Sequence, residues 1–309
     1  MKKFLNDVDA PKDKIIRNRD LKRILEHDSR LNDNDVSYLL TIINGNDIVD
    51  VSGFSGVTTL LCMDNLKKGY VIRIGDKNHK LDDIFIKSNF LNKYNLTSKT
   101  IDYYNGCVDI LVTEPICGKM VLDEYCDLEL MAKFMGESLR KFHEYSFDIN
   151  ELDESERKIL LNDSNYYINT ALSHANGLRY FGEYLGVDNY THLKKEIDAE
   201  KNLFKNTEVM VHGDFNPRNV FVNNNQFAGV VDLEYMHFGD RHYDIAFSVW
   251  SCCLYLGVLN DIEKVNYFKN IFYESYGLDI IDFNRLNYCN KVVCMFWQEH
   301  NDINSLVRG

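Results

Sequence analysis

In the first 45 residues, apolar positions recur at three- and four-residue spacing in "RDLKRILEH" and "DVSYLLTII", which predicts helices. The period then shortens. "DIVDVSG", "TTLLCMD" and "GYVIRIG" are short apolar or alternating runs separated by Gly, Asn and Lys, the pattern of strands. "VDILVTEPICG" predicts a further strand that ends at Pro115 and Gly118. From about Asp127 the helical period returns, with Leu128, Met131, Met135, Leu139 and Phe142 on one face. Helical patterns continue around 244–256, 262–275 and 283–297, and only a strand pair at 220–231 interrupts them. The pattern predicts an α+β protein of two lobes, a small β-rich N-lobe and a larger, mostly helical C-lobe. The expected divisions are an N-terminal helical extension at 1–45, an N-lobe at 46–117 with its boundary near 114–118, and a C-lobe at 118–309.

The strand pair carries the most specific signal. Residues 211–234 read "VHGDFNPRNVFVNNNQFAGVVDLE". "NVFV" and "FAGVV" predict strands, and "NNNQ" supplies the turn. Residues equidistant from a hairpin turn face each other. The midpoint between Asn219 and Asp232 falls between Asn225 and Gln226, inside that turn, so the pairing predicts that both reach the open end of the hairpin. Asp214 precedes it. An amide oxygen and a carboxylate converging there make a hard-oxygen site suited to Mg²⁺. A second carboxylate beside it can accept a proton from a substrate hydroxyl. Any one Asx residue at a strand end serves often enough as a turn cap; the three together, at this spacing, are far more specific.

Composition narrows the chemistry. The chain has 309 residues, 35 Lys plus Arg against 47 Asp plus Glu, and a formal net charge of −12. That balance argues against a nucleic-acid partner and is compatible with a cationic small substrate. No apolar run reaches the ~18 residues of a membrane span, and "MKKFLNDVDAPKDK" lacks the apolar core of a secretory signal. The eight cysteines form no CxxC pair or zinc-spaced cluster, and are expected to be reduced thiols in a cytoplasmic protein.

The segment H-G-D-x-x-x-x-N at His212, Gly213, Asp214 and Asn219, the V-V-D ending at Asp232, and "FGDRHYDIAFSV" resemble the aminoglycoside phosphotransferases and the wider clan that includes choline kinases. The resemblance covers roughly residues 48–300 and is strongest at 211–247. It implies a protein-kinase-like fold and transfer of the γ-phosphoryl group of ATP or GTP to a small-molecule hydroxyl, as in antibiotic-resistance kinases. By resemblance Asp214 is the catalytic base, Asn219 and Asp232 hold Mg²⁺, and Asp244 braces a loop that His212 and Gly213 shape. On the nucleotide side it points to the glycine-rich turn at Ser52, Gly53, Ser55 and Gly56, and to Arg73 where the family usually carries a phosphate-gripping Lys. It also points to a hinge in which the Glu114 carbonyl and the Ile116 N–H hold adenine. The helix after Arg73 has no Glu to pair with it; Asp82 and Asp83 are the only nearby acids. His143, in "LRKFHE", is expected to be structural.

The acceptor is the least determined part. Aminoglycoside kinases line the acceptor cleft with acids, and "DINELDESE" and "WQEHND", which contains Glu299, are the available stretches. The first reads better as solvated surface. Glu234 and Tyr235 after the metal-binding Asp resemble the choline-kinase side, and Trp297 with Phe296 offers an aromatic wall for a quaternary ammonium, or simply core. The expected acceptor is a cationic aminoglycoside-type molecule. The alternatives are choline or ethanolamine, and a nucleotide-binding pseudokinase that works as an interaction module.

Overall fold

A computed structural model describes residues 15–52, 56–63, 69–145, 147–161 and 165–297. The described residues up to Gly118, with Ala228–Val231, form one compact unit; Lys119–Phe227 and the residues from Asp232 onward form another.

The first unit is a six-stranded antiparallel sheet with helices on both faces. Its elements are β1 (Ile15–Ile16), α1 (Asn18–Glu26), α2 (Asp33–Ile43), β2 (Ile48–Asp50), β3 (Thr58–Met63), β4 (Gly69–Gly75), α3 (Leu81–Asn92), β5 (Thr100–Asn105) and β6 (Asp109–Thr113), with strand order β1-β2-β3-β4-β6-β5. Helix α2 starts where the Asn32 side chain accepts the N–H groups of Asn34 and Asp35 while the Asp35 carboxylate accepts the Asn32 N–H. That reciprocal cap satisfies donors the helix itself cannot. The helix ends at Asn44 in the left-handed region. Strand alternation decides what each helix covers. Ile110 and Val112 of β6 join Ile72 and Ile74 of β4 in a core with Leu21 and Leu25 of α1 and Val36, Leu39 and Ile43 of α2. Leu111, between them, points to the opposite face and packs with Leu81 and Ile84 of α3. With both faces covered, β6 reads as an uninterrupted apolar run.

The second unit is mainly helical: β7 (Lys119–Met120), α4 (Val121–Glu124), α5 (Leu128–His143), α6 (Glu154–Leu160), α7 (Tyr166–Ser173), α8 (Arg179–Leu185), α9 (Tyr190–Ala199), β8 (Val209–Val211), β9 (Val220–Asn223), the first two residues of β10 (Gln226–Val230), β11 (His237–Gly239), α10 (Arg241–Tyr255), α11 (Ile262–Tyr276) and α12 (Phe283–Phe296). Met131, Met135, Leu139 and Phe142 are fully buried, as their spacing predicts, and Leu128 is half-buried. Gly136 lets α11 approach α5 closely: a Cβ there would lie 2.6 Å from the Phe272 carbonyl oxygen and 3.0 Å from Ser275 Cβ. Helix α10 is buried on every side from His242 to Cys253, so it runs through the middle of this unit. The hairpin turn is two residues, Asn224 and Asn225, both at positive φ, the conformation that asparagine tolerates and tight hairpins require. The turn is centred within the predicted "NNNQ", one residue before the midpoint of Asn219 and Asp232, and Asp232 stands beyond the end of β10 at φ 64. No helix among the described residues is long and apolar enough to cross a membrane.

Candidate active site

Strand β8 is entirely buried and pairs antiparallel with β11, Val211 opposite His237 and Val209 opposite Gly239. It delivers His212, Gly213 and Asp214 to one place. Gly213 sits at φ 84, and a Cβ would overlap the Tyr167 hydroxyl and lie 2.5 Å from Tyr235 Cβ. Only glycine fits there. The turn is held from below by Asp244, fully buried in the first turn of α10. Its Oδ2 accepts the His212 N–H at 2.7 Å and its Oδ1 the Gly213 N–H at 2.8 Å. Two backbone amides on one carboxylate fix the loop's orientation with charge-assisted bonds.

The Asp214 carboxylate is half-buried and accepts an N–H from each of two amides, Asn216 Nδ2 at 2.8 Å on Oδ1 and Asn219 Nδ2 at 3.0 Å on Oδ2. Asn219 Nδ2 also donates to the Asp214 carbonyl at 3.0 Å. Both side-chain N–H bonds of Asn219 thus turn toward Asp214, which leaves its Oδ1 as the atom with lone pairs for a cation. Asn216, which sequence reasoning passed over, is central: its Oδ1 accepts the N–H groups of Arg218 and, at 3.3 Å, Asn219. The Asn-Pro pair at 216–217 was the available signal, since such pairs initiate turns. His212 is buried, and its Nδ1 accepts the Asp214 N–H at 3.2 Å.

Burial, and then the charge of Asp232, push the Asp214 carboxyl well above the ordinary aspartate range, against the opposing hydrogen bonds from Asn216 and Asn219. A hard divalent cation beside Asp214 would remove that penalty, and a second carboxylate with an amide oxygen is a donor set that suits one. Asn219 and Asp232 would hold it, and Asp214 would remain beside it.

Sequence-based expectations elsewhere meet varied geometry. Arg73 lies half-buried on β4, opposite Leu111 on β6 and Thr59 on β3. Asp82 is exposed and Asp83 half-buried in the first turn of α3; the buried charged side chain of that helix is Lys87. Ser52 Oγ accepts the Thr59 N–H at 2.8 Å, a bond that closes the β2–β3 connection. Gly56 has φ 77, while Gly53 and Ser55 lie outside the described residues. The Glu114 N–H donates to the Lys99 carbonyl, and Ile116 is buried. Glu234 is exposed and Tyr235 half-buried. Trp297 stacks on Phe247 at 5.1 Å, meets Tyr235 edge-on at 5.1 Å, and donates Nε1–H to Tyr243 Oη. Phe296 is buried against Tyr166, Tyr167 and Tyr235. Glu299 is outside the described residues. In "DINELDESE", Asp148 accepts the Asn150 N–H, and Asp153 and Glu156 form the capping box of α6.

One further group of possible metal ligands exists among the described residues, Glu208, Asp240 and His242. Arg285 already neutralises it, at 2.7 Å from both carboxylates. His242 Nε2 accepts the Asp282 N–H, so its proton is on Nδ1, facing Asp240. That ring has no lone pair for a metal.

Residues 109–259 match the model of the phosphotransferase enzyme family. A probable aminoglycoside 3′-phosphotransferase of Lactococcus lactis is 29% identical over 153 residues, 49% of this chain and 53% of that protein, so the match spans about half the length of that curated relative. Among solved structures, an aminoglycoside phosphotransferase of Streptomyces rimosus aligns with TM-score 0.62 at 15% identity, over 87% of this chain and 100% of that one. An aminoglycoside-3′-phosphotransferase of type VIII aligns at 0.56 and 18%, over 85% and 98%. The ethanolamine kinase of Plasmodium vivax aligns at 0.55 and 16%, over 91% and 85%. The expected resemblance holds, and the fold is the protein-kinase-like fold of these phosphotransferases.

Proposed function

We propose that this protein is a nucleotide-dependent small-molecule kinase in which Asp214 takes the proton from an acceptor hydroxyl. The observation that carries this is the geometry of Asp214. It is a carboxylate on a loop fixed by Asp244, oriented by two amides, and close enough to Asp232 to feel its charge. A turn cap needs none of these supports; a base that must point at one hydroxyl needs all of them. Bound through Asn219 and Asp232, Mg²⁺ would supply charge neutralisation on the nucleotide phosphates. The chain's own part is orientation: Asn216 and Asn219 hold the carboxylate in one rotamer, and Asp244 holds the backbone that carries it. ATP or GTP is the donor on this reading. Arg73, Ser52, Gly53, Ser55, Gly56, Glu114 and Ile116 keep their nucleotide roles on the strength of the resemblance.

For the acceptor we favour an aminoglycoside-type amino sugar, supported by the 29% identity over 153 residues to a probable aminoglycoside 3′-phosphotransferase and by the net charge of −12. A second reading, an amino alcohol such as ethanolamine or choline, rests on Tyr235, Phe296 and Trp297. These form one aromatic cluster next to exposed Glu234, and Tyr235 packs on the Asp214 loop at Gly213. The test is nucleotide turnover with Mg²⁺ against both acceptor classes. Turnover that needs an acceptor and vanishes in Asp214→Asn supports the kinase. Nucleotide binding with no turnover for any acceptor would instead leave the binding-module alternative standing.

A further inference from the structure

Below the Asp214 loop a row of polar side chains runs back into the helices. His143, the last residue of α5, is buried. Its Nε2 lies 3.2 Å from Asp244 Oδ2 and its Nδ1 lies 2.8 Å from the hydroxyl of Tyr276, the last residue of α11. The direction of each bond follows from its neighbours. Asp244 already accepts the two loop amides, so it is an acceptor for the ring as well. The proton of His143 is therefore on Nε2, and Nδ1 accepts from the Tyr276 O–H. The positive charge of the Arg241 guanidinium acts on the same hydroxyl and favours its proton turned away, toward His143. Burial keeps the imidazole neutral, in accord with a single ring proton.

We propose that Tyr276 and His143 are positioning residues for the catalytic loop, acting through Asp244. This rests on the reading of Asp214 as the base. Asp244 has two carboxylate oxygens and serves one loop amide with each; its rotamer therefore sets where Gly213, and with it Asp214, stands. The bond from His143 holds that rotamer against rotation about the terminal carboxylate torsion, which is broad and has no strong preference of its own. Tyr276 in turn fixes the imidazole's tautomer and plane. The hydroxyl reaches the ring because Gly136 lets α11 lie close to α5, and because Arg140 Nη1 ties the Tyr276 carbonyl to α5 at 3.1 Å. A side chain that only filled this space would need the ring of Tyr276, not its hydroxyl.

The experiment separates position from bulk stability. Tyr276→Phe keeps the ring and removes one oxygen. Steady-state kinetics and amide hydrogen exchange are measured on the full chain, with His143→Gln alongside it. The expected result for Tyr276→Phe is a fall in kcat of about tenfold or more with nucleotide KM within about twofold, since small misplacement of a reacting group is costly. Exchange at the His212 and Gly213 amides is expected to speed up by about tenfold while those of Val209–Val211 are unchanged. The double variant should lose no more than His143→Gln alone, because the two act in series. Unchanged kcat and unchanged exchange at 212–213 overturn the proposal. So does a uniform rise in exchange across β8 with a drop in melting temperature, the signature of a purely structural bond. If Tyr276→Phe does not fold, the same readouts on His143→Gln decide. Asp214→Asn keeps the two readings apart: turnover that survives it removes the base assignment, while exchange at 212–213 still judges the positioning.

Discussion

A single carboxylate, Asp214, is held against its own charge. Burial and Asp232 raise its pKa, and the sign of the stability effect follows. The folded protein binds that proton more tightly than the unfolded chain, so the stability it contributes is present below the ordinary aspartate pKa and is lost as pH rises through the raised value. Asp214→Asn has no carboxyl to ionise, though it exchanges one accepted hydrogen bond for an amide that must find a new partner, a cost of about 1 kcal/mol. The melting temperature of the variant minus that of the parent, measured in chelator, is therefore expected to grow from pH 5 to pH 8. A difference that stays flat over that range would mean that Asp214 is ionised without cost, and one that shrinks would mean that the fold favours its charge. Turnover of the same variant should fall by about 10²–10⁴, the scale for loss of a general base. The metal ligands give a separate prediction. Asp232→Ala should abolish the Mg²⁺ dependence of nucleotide binding, and Asn219→Ala should raise the Mg²⁺ concentration at half-maximal rate. Calorimetric titration of the nucleotide with and without Mg²⁺ checks both, and two variants that bind like the parent would reduce these residues to turn caps.

At the level of elements, the sequence was most legible where a period had length to repeat. Helices α5, α10, α11 and α12 lie within a few residues of their predicted spans, because sixteen or so positions of one face leave little ambiguity. The short strands β7, β8 and β11 were not predicted: two or three residues carry no period, and their pairing is set by partners distant in the chain. Strand β5 escaped because a register irregularity between Thr100 and Asp102 breaks the alternation and leaves Ile101 exposed. The periods of α1 and α2 gave helices but not what they cover, one face of the sheet. At the site, the spacing of Asp214, Asn219 and Asp232 was legible and the resemblance pointed to Asp244 and His143 separately, but Tyr276 and the row that joins all three were not legible, since its members come from three helices. Gly213 shows how tightly the elements close on the loop. An added Cβ meets Tyr167 from α7 and both Cβ and carbonyl of Tyr235, at a positive φ. Gly213→Ala is expected to cost on the order of 2–4 kcal/mol from strain and overpacking together. Combining it with Tyr167→Phe should not restore stability, because the Tyr235 contacts are with atoms that this change leaves in place; denaturant melts of the single and double variants test this, and full recovery in the double would refute it.

For the whole molecule, the open question is what the charge of −12 is for. Net charge reports on solubility in most proteins, and on steering only when the acids face the ligand. The placement of the acids limits their use here. Asp148, Asp153 and Glu156 are tied to helix starts, and Glu208 and Asp240 are tied to Arg285. Glu234 is exposed directly after the Asp232-Leu233 step, with the aromatic cluster of Tyr235, Phe296 and Trp297 beside it. An amino sugar with several ammonium groups would draw on the diffuse acidic field as well as on Glu234, and its KM should rise steeply with salt. An amino alcohol with one cationic centre would lean on the aromatic faces, and its KM should change little. We expect amino-sugar turnover with a KM that rises several-fold between low and high salt, and a further rise in Glu234→Gln that is smaller at high salt than at low. Turnover of choline or ethanolamine alone, with a flat salt dependence, would transfer the assignment to the amino alcohols; in that case Trp297→Ala, not Glu234→Gln, would be the variant that loses the acceptor.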